Sequence, residues 1–292
     1  VGEPTTAFCM PVSHAVYCAA HAELHELEDV RRLAEDDRQP LSYDALLCIF
    51  SKKQQDLVKR TAGRHRQCAA SYVERYRRGE SLEAIANAVQ LPPTMLARMV
   101  LEELWDLKKG KEVGLFLKEP RRLADARMRR EIERAIAADV CYGPGVDMVR
   151  HLIGREYEAV LEQRLRDIGA PHTTEGDARQ SGSFKTPDAL LPVPLLVGGR
   201  AVHWIDSKAT FGDVASHNEY SSHQFSAYLN RFDAGLVIYW FGFVDEVAAL
   251  DPRILVLDHF PEDCALMRGS GSPTLARRAI ASDAEAALGN EQ

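Results

Sequence analysis

Arg200-Ala-Val-His-Trp-Ile-Asp206-Ser-Lys208 reads as a strand that ends on a carboxylate and an ammonium. Side chains alternate along a strand, so Asp206 and Lys208 fall on one side, while Ser207 faces away and can offer its carbonyl. Just upstream, Lys185-Thr-Pro-Asp188 opens an apolar run over residues 189–197. If these two strands pair, Asp188 approaches Asp206. Two adjacent carboxylates make a hard-oxygen site suited to Mg²⁺ or Mn²⁺. An ion held there can polarise a phosphoryl oxygen and lower the pKa of a bound water, and a nearby lysine can orient that water or offset developing negative charge. Taken alone, Asp206 and Lys208 are better read as a surface ion pair at a strand end.

The surrounding sequence supplies the rest of a domain. Further apolar, β-branched or aromatic segments lie at 201–205, 236–244 and 254–260, with a helix over roughly 217–231 between them and an amphipathic helix over 147–168 ahead of them. The order α, β, β, α, β, β, with strands apolar on both faces, predicts an α/β domain whose mixed sheet is sandwiched by helices. Gly154-Arg-Glu-Tyr-Glu158-Ala-Val-Leu161 places Glu158 on the leading helix as a third candidate carboxylate. Gln224 and Tyr228 fall on one face of the later helix, four residues apart. His217 and His223 flank the same region, but six residues do not bring them to one helical face. Asp213 and Glu219 are read as charges that could support the site or simply meet solvent.

Residues 20–140 have a different texture, with apolar positions three and four apart in stretches rich in Ala, Leu, Arg and Glu. Ser81 can cap a short helix that turns Leu82, Ile85, Ala86 and Val89 inward. Residues 90–92 make a turn, and Pro93 sits in the first turn of a second helix, giving a helix-turn-helix outline. That second helix is expected to bury Leu96, Met99 and Val100 and to expose Thr94 and Arg98, as a helix entering a major groove would. A helical hairpin that only packs is the competing reading. Cys141-Tyr-Gly-Pro-Gly opposes helix continuation and marks a boundary. The expected organisation is an N-terminal segment 1–40, a basic helical domain 41–140, an α/β domain 141–265 and a loose tail 266–292.

Net charge is −7, but residues 1–50 hold three Lys and Arg against nine Asp and Glu, residues 51–130 hold 19 against 10, and residues 131–292 hold 14 against 24. The middle of the chain is the polycation that a nucleic-acid binder needs. Lys52, Lys53, Lys59, Arg60, Arg64, Arg66 and Arg98 are the candidate phosphate contacts, with a solvated helical face as the alternative. The six cysteines form no CxxC pair, against both a zinc site and a disulfide scaffold. The longest strongly apolar stretch, 236–244, is far short of a bilayer span, and no basic segment leads into an apolar one at the start. A soluble intracellular protein, nuclear or cytoplasmic, is expected.

Glu158, Asp188, Asp206-Ser-Lys208 and Gln224-x-x-x-Tyr228, in that order, resemble the PD-(D/E)xK nuclease superfamily. Thr186-Pro-Asp188, together with Cys141-Tyr-Gly-Pro, His203-Trp-Ile-Asp-Ser-Lys-Ala209, Phe211-Gly-Asp213 and Asn230-Arg-Phe, is similar to the codanin-interacting nuclease family. The resemblance covers about residues 41–260. It implies an α-β-α restriction-endonuclease-like domain preceded by an all-α, helix-turn-helix-like domain, and a codanin-like partner. It further implies Mg²⁺ or Mn²⁺ on Asp188 and Asp206, with the Ser207 carbonyl completing the site and Glu158 as an additional ligand. Lys208 would assist the attacking water, and Gln224 and Tyr228 would position substrate or the lysine. The implied activity is phosphodiester hydrolysis in nucleic acid, DNA before RNA and structure-selective; the alternative is a non-catalytic adaptor that binds nucleic acid or codanin through the same fold.

Overall fold

A computed structural model describes residues 11–105, 111–180, 185–267 and 274–275. The chain divides into two compact units, one of Val1–Cys18, Pro40–Ala45 and Gly154–Gln292, the other of Ala19–Gln39 and Leu46–Ile153. Its helices are α1 His14–Glu23, α2 Leu27–Ala34, α3 Tyr43–Gln67, α4 Ala69–Arg77, α5 Leu82–Val89, α6 Pro93–Leu104, α7 Lys111–Lys118, α8 Ala126–Ala138, α9 Pro144–Asp167, α10 Glu175–Gln180, α11 Val214–Tyr220 and α12 Ser226–Phe232. Among the described residues, no helix is long and apolar enough to cross a membrane.

The helical unit is built around Tyr72, Val73, Leu82, Ile85, Leu96, Met99, Val100, Met128 and Ile132. Ser81 caps α5 as its sequence position predicts, its hydroxyl accepting from the Ala84 amide at 3.1 Å. Gln90 closes α5 in the left-handed region at φ 55°, and Pro93 starts α6. The expectation for Thr94 is corrected: it is buried, not exposed. The Asp139 carboxylate accepts from the Thr94 amide at 2.9 Å, and Thr94 sits against the end of α8. A capping acid 45 residues downstream therefore occupies the end of α6 that a groove-reading helix would present. Asp139 also accepts from the amides of Cys141 and Tyr142, tying down the Cys-Tyr-Gly-Pro turn.

The other unit is a seven-stranded mixed sheet. Its strands are β1 Thr173–Thr174, β2 Ala189–Val197, β3 Arg200–Lys208, β4 Gly235–Tyr239, β5 Ile254–Leu257, β6 Cys264–Leu266 and β7 Thr274–Leu275. The order is β5-β4-β3-β2-β6-β7, with β1 on β2 near Ala189. β2 runs antiparallel to β3 and β6, whereas β3, β4 and β5 are mutually parallel. Pro192 and Pro194 cannot donate to a ladder, and the β2–β3 register shifts between Leu190 and Leu195, where they lie. One face of the sheet packs Ile205, Leu236 and Ile238 on Leu161 and Leu165 of α9. The other carries Trp204 and Tyr239, whose rings meet Phe225, Tyr228 and His217. This helix-sheet-helix layering after an all-α region is the fold class expected. β1, β6 and β7 were not expected, and β7 falls in the stretch read as a loose tail; most of that tail lies outside the described residues.

Candidate active site

Asp188 stands at the entrance of β2, and Ala189 pairs with Ile205, so the next row of the ladder brings Asp188 opposite Asp206. The Ser207 amide closes the gap, donating to Asp188 Oδ2 at 2.7 Å. On the far face the Ser207 hydroxyl accepts from the Trp240 indole at 2.8 Å. Asp206 is only 2% exposed, and the Lys208 ammonium lies against its carboxylate as the same-face alternation requires. Lys208 in turn donates to Gln224 Oε1 at 3.0 Å. The structure thus brings Asp188, Asp206, Lys208 and Gln224 together.

Gln224 reaches the lysine because α11 and α12 are joined by a π-helical turn over Ser221–Phe225. Such turns are rare and concentrate at functional sites, since the extra residue re-aims side chains along one face. The turn also brings Tyr220, whose ring lies 5.0 Å from the lysine nitrogen, and Phe225 at 5.7 Å. These rings were missed in the sequence; the only signal was Tyr220 standing four residues ahead of Gln224. Tyr228 does not contact the lysine in the same way. Its hydroxyl donates to the Thr186 carbonyl at 3.0 Å and anchors the Thr-Pro-Asp segment, helped by Arg231 on the Lys185 carbonyl, also at 3.0 Å. Lys185 itself takes a left-handed φ of 52°, so the segment enters the site through a backbone bend that needs those two anchors.

Charge is out of balance here. Burial first, and the Asp206 charge second, hold the Asp188 carboxyl well above the usual carboxylate range, despite opposing pulls from Lys208 and the Ser207 amide; Glu158 adds to the rise. Burial works against a charged Lys208, but Asp206 and Asp188 outweigh it and raise its pKa. Burial and then the charges of Asp206, Asp188 and Glu175 push the Tyr228 hydroxyl upward, keeping it a donor. Asp206 Oδ1 is buried, and the contact it has there is the Lys208 ammonium. Two buried, apposed carboxylates with Lys208 as their nearby ammonium carry excess negative charge that a small divalent cation would complete, so the residues fit the metal that the resemblance implies. Among the described residues, no three His, Cys, Asp or Glu side chains already converge as a metal cluster. Glu158 lies 3.7 Å from Arg155 on the α9 side and acts on Asp188 through charge.

The repulsion gives a test. Asp188→Asn keeps an acceptor for the Ser207 amide and removes one of two apposed charges. It is expected to raise metal-free stability by about 0.5–2 kcal/mol. Thermal melting in a chelator checks this; a lower melting temperature would show that the carboxylates do not repel.

The remaining candidates are placed elsewhere or otherwise engaged. Lys59, Arg60, Arg64 and Arg66 are exposed on α3. Lys53 is half-buried and donates to the His21 carbonyl at 2.6 Å, and Lys52 lies 3.7 Å from Asp56, so these two are engaged within the helical unit. Arg98 is half-buried on α6. His217 is buried against the Tyr239 hydroxyl at 3.1 Å, and Asp213 caps α11 through Ser216.

A family model described as a protein of unknown function with a TPD sequence motif matches residues 124–260. Curated proteins named CDAN1-interacting nuclease 1 align over most of the chain. The one from Danio rerio is 40% identical over 238 residues, covering 76% of this chain and 79% of its own length. The one from Homo sapiens is 38% identical, covering 74% and 82% respectively. This chain belongs to the CDAN1-interacting nuclease 1 family. The Xenopus tropicalis member is 39% identical and covers 80% of this chain. No solved structure matches. The TPD motif of the family is Thr186-Pro187-Asp188 here, so the segment for which the family model is named is the one that Tyr228 and Arg231 anchor beside Asp206.

Proposed function

We propose that this protein is a divalent-metal-dependent nuclease that hydrolyses phosphodiester bonds, with branched or otherwise structured DNA as its substrate. The observation that carries the reading is the apposition of Asp188 and Asp206 with Lys208 tied between Asp206 and Gln224. Asp188 and Asp206 would hold Mg²⁺ or Mn²⁺, with the Ser207 carbonyl and Glu158 as further oxygen donors. When bound, the ion supplies Lewis acidity and a more acidic water. Gln224 restrains the Lys208 ammonium so that it can donate to the attacking water and offset negative charge developing on the phosphoryl oxygens. The Tyr228 and Arg231 bonds keep Asp188 in place during turnover. Exposed Lys59, Arg60, Arg64 and Arg66 would grip phosphates of the substrate, which makes binding salt-dependent and largely blind to sequence. The relatives' name also supports a codanin-like protein as the partner.

The test is a cleavage assay on branched, flapped, single-stranded and duplex DNA, with RNA alongside. Cleavage is expected with Mg²⁺ or Mn²⁺, strongest on branched or flapped substrates, and lost in chelator. Mn²⁺ is also expected to raise the melting temperature, because it binds only the folded site. Neither cleavage nor stabilisation would overturn the reading and leave the non-catalytic adaptor.

A further inference from the structure

We propose that Tyr220 is a positioning residue for Lys208, its ring face keeping the ammonium beside the site once the apposed carboxylates are committed to a cation. The inference rests on the metal-dependent reading above and specifies how the lysine of that site is held. The Lys208 nitrogen lies 5.0 Å from the centre of the Tyr220 ring and 5.7 Å from that of Phe225, and it donates to Gln224 Oε1 at 3.0 Å. Both rings are close enough to attract an ammonium through the negative face of their π-systems. Phe225 is fully buried and also stacks on Trp204, so it serves the core as well. Tyr220 is half-buried and is the nearer of the two rings.

The backbone explains why these side chains meet. Tyr220 is the last residue of α11, and Gln224 and Phe225 end the π-helical turn that follows. In an α-helix, residues five apart stand about 140° from one another around the axis, which would turn Phe225 away. A π turn, bonded from i to i+5, brings residues four and five apart onto one side. Asp213 caps α11 through Ser216, and His217 bonds the Tyr239 hydroxyl, so the Tyr220 ring is presented to the lysine by a helix anchored to β4. Its chemistry suits a site that takes up an ion. Lys208 also lies against Asp206, and an ion on Asp188 and Asp206 would draw on the same carboxylate and repel the ammonium. A ring face and an amide oxygen hold a cation without net charge, so they keep Lys208 in place when Asp206 no longer does.

Two measurements on the full chain test the assignment. In the first, which needs no substrate, the ε-methylene resonance of Lys208 is observed by nuclear magnetic resonance in ¹³C-lysine-labelled protein and assigned by its absence from Lys208→Arg. It is expected to be displaced upfield by the ring current, both in chelator and with Mg²⁺, to stay displaced in Tyr220→Phe and to move back in Tyr220→Leu. In the second, Tyr220→Leu is expected to lower kcat by about 2–30-fold, the span that a cation–π contact supplies, with KM unchanged, while Tyr220→Phe keeps the parental kcat. Rates are compared at a temperature where every variant is folded by circular dichroism, and Tyr220→Met, which also lacks a ring, stands in if Tyr220→Leu does not fold. An undisplaced resonance in the parent, a displacement that vanishes with Mg²⁺, or parental kcat in Tyr220→Leu overturns the inference. So does an equal loss in Tyr220→Phe and Tyr220→Leu, which would assign the effect to the hydroxyl. No divalent-dependent cleavage by the parent overturns the metal-dependent reading instead, and the resonance still decides whether the ring holds the lysine.

Discussion

Lys208→Ala is expected to lower divalent-dependent cleavage by about 10²–10³-fold, the usual loss when one preorganised donor to a developing charge is removed. The size of the effect follows from how tightly Lys208 is held. Its side chain is 15% exposed, it lies against Asp206, and Gln224 fixes its remaining direction. Lys208→Arg is expected to restore little, because a planar guanidinium cannot occupy the slot that Gln224 and the Tyr220 ring leave for a compact ammonium. Lys208→Ala also removes the counter-ion of a carboxylate that is 3% exposed. Breaking a buried pair in this way costs about 3–5 kcal/mol, so the variant should melt well below the parent in chelator and recover part of the difference on Mg²⁺ addition. Initial rates measured below both melting temperatures separate the two effects. Parental rates in Lys208→Ala would remove the lysine from the chemistry.

Gly235→Ala is expected to be among the most destabilising single-methyl changes in the protein, by about 3 kcal/mol or more, the upper range for overpacking a core. A Cβ on Gly235 would overlap the six-membered ring of Trp204. Trp204 is completely buried and its indole donates to the Asp233 carbonyl at 2.8 Å, so it cannot swing away without losing that bond. It also stacks on Phe225 and meets the edge of Tyr228. Displacing it pushes on the residue that anchors Thr186, and cleavage should fall along with stability. Denaturant unfolding and the cleavage assay measure the two; a parental unfolding midpoint would mean that the sheet yields at Gly235 instead.

What was legible in the sequence follows the reach of each signal. Alternation along β3 put Asp206 and Lys208 on one side, and the Ser81 and Pro93 signals marked the ends of α5 and α6, because those signals act within a few residues. The burial of Thr94 was not legible: its partner Asp139 is 45 residues away, and helix periodicity alone does not say what covers a helix end. Lys53 counted toward a basic surface until the His21 carbonyl took its ammonium. β1 and β7 have two residues each, too few for any period to register, and the π turn that aims Gln224 leaves no compositional trace. Gly235 lies just ahead of the apolar segment read at 236–244 and carried no signal of its own; its requirement comes from Trp204, one strand over.

The indole of Trp240 is hydrogen-bonded to Ser207, whose amide holds Asp188. An optical reporter is therefore wired through a single residue to the carboxylates, on the face of the sheet away from them. Of the three tryptophans, Trp105 belongs to the helical unit and Trp204 is sealed in the core. The near-ultraviolet emission of Trp240 is thus the natural signal for following cation arrival at Asp188 in real time, with no dye or label attached.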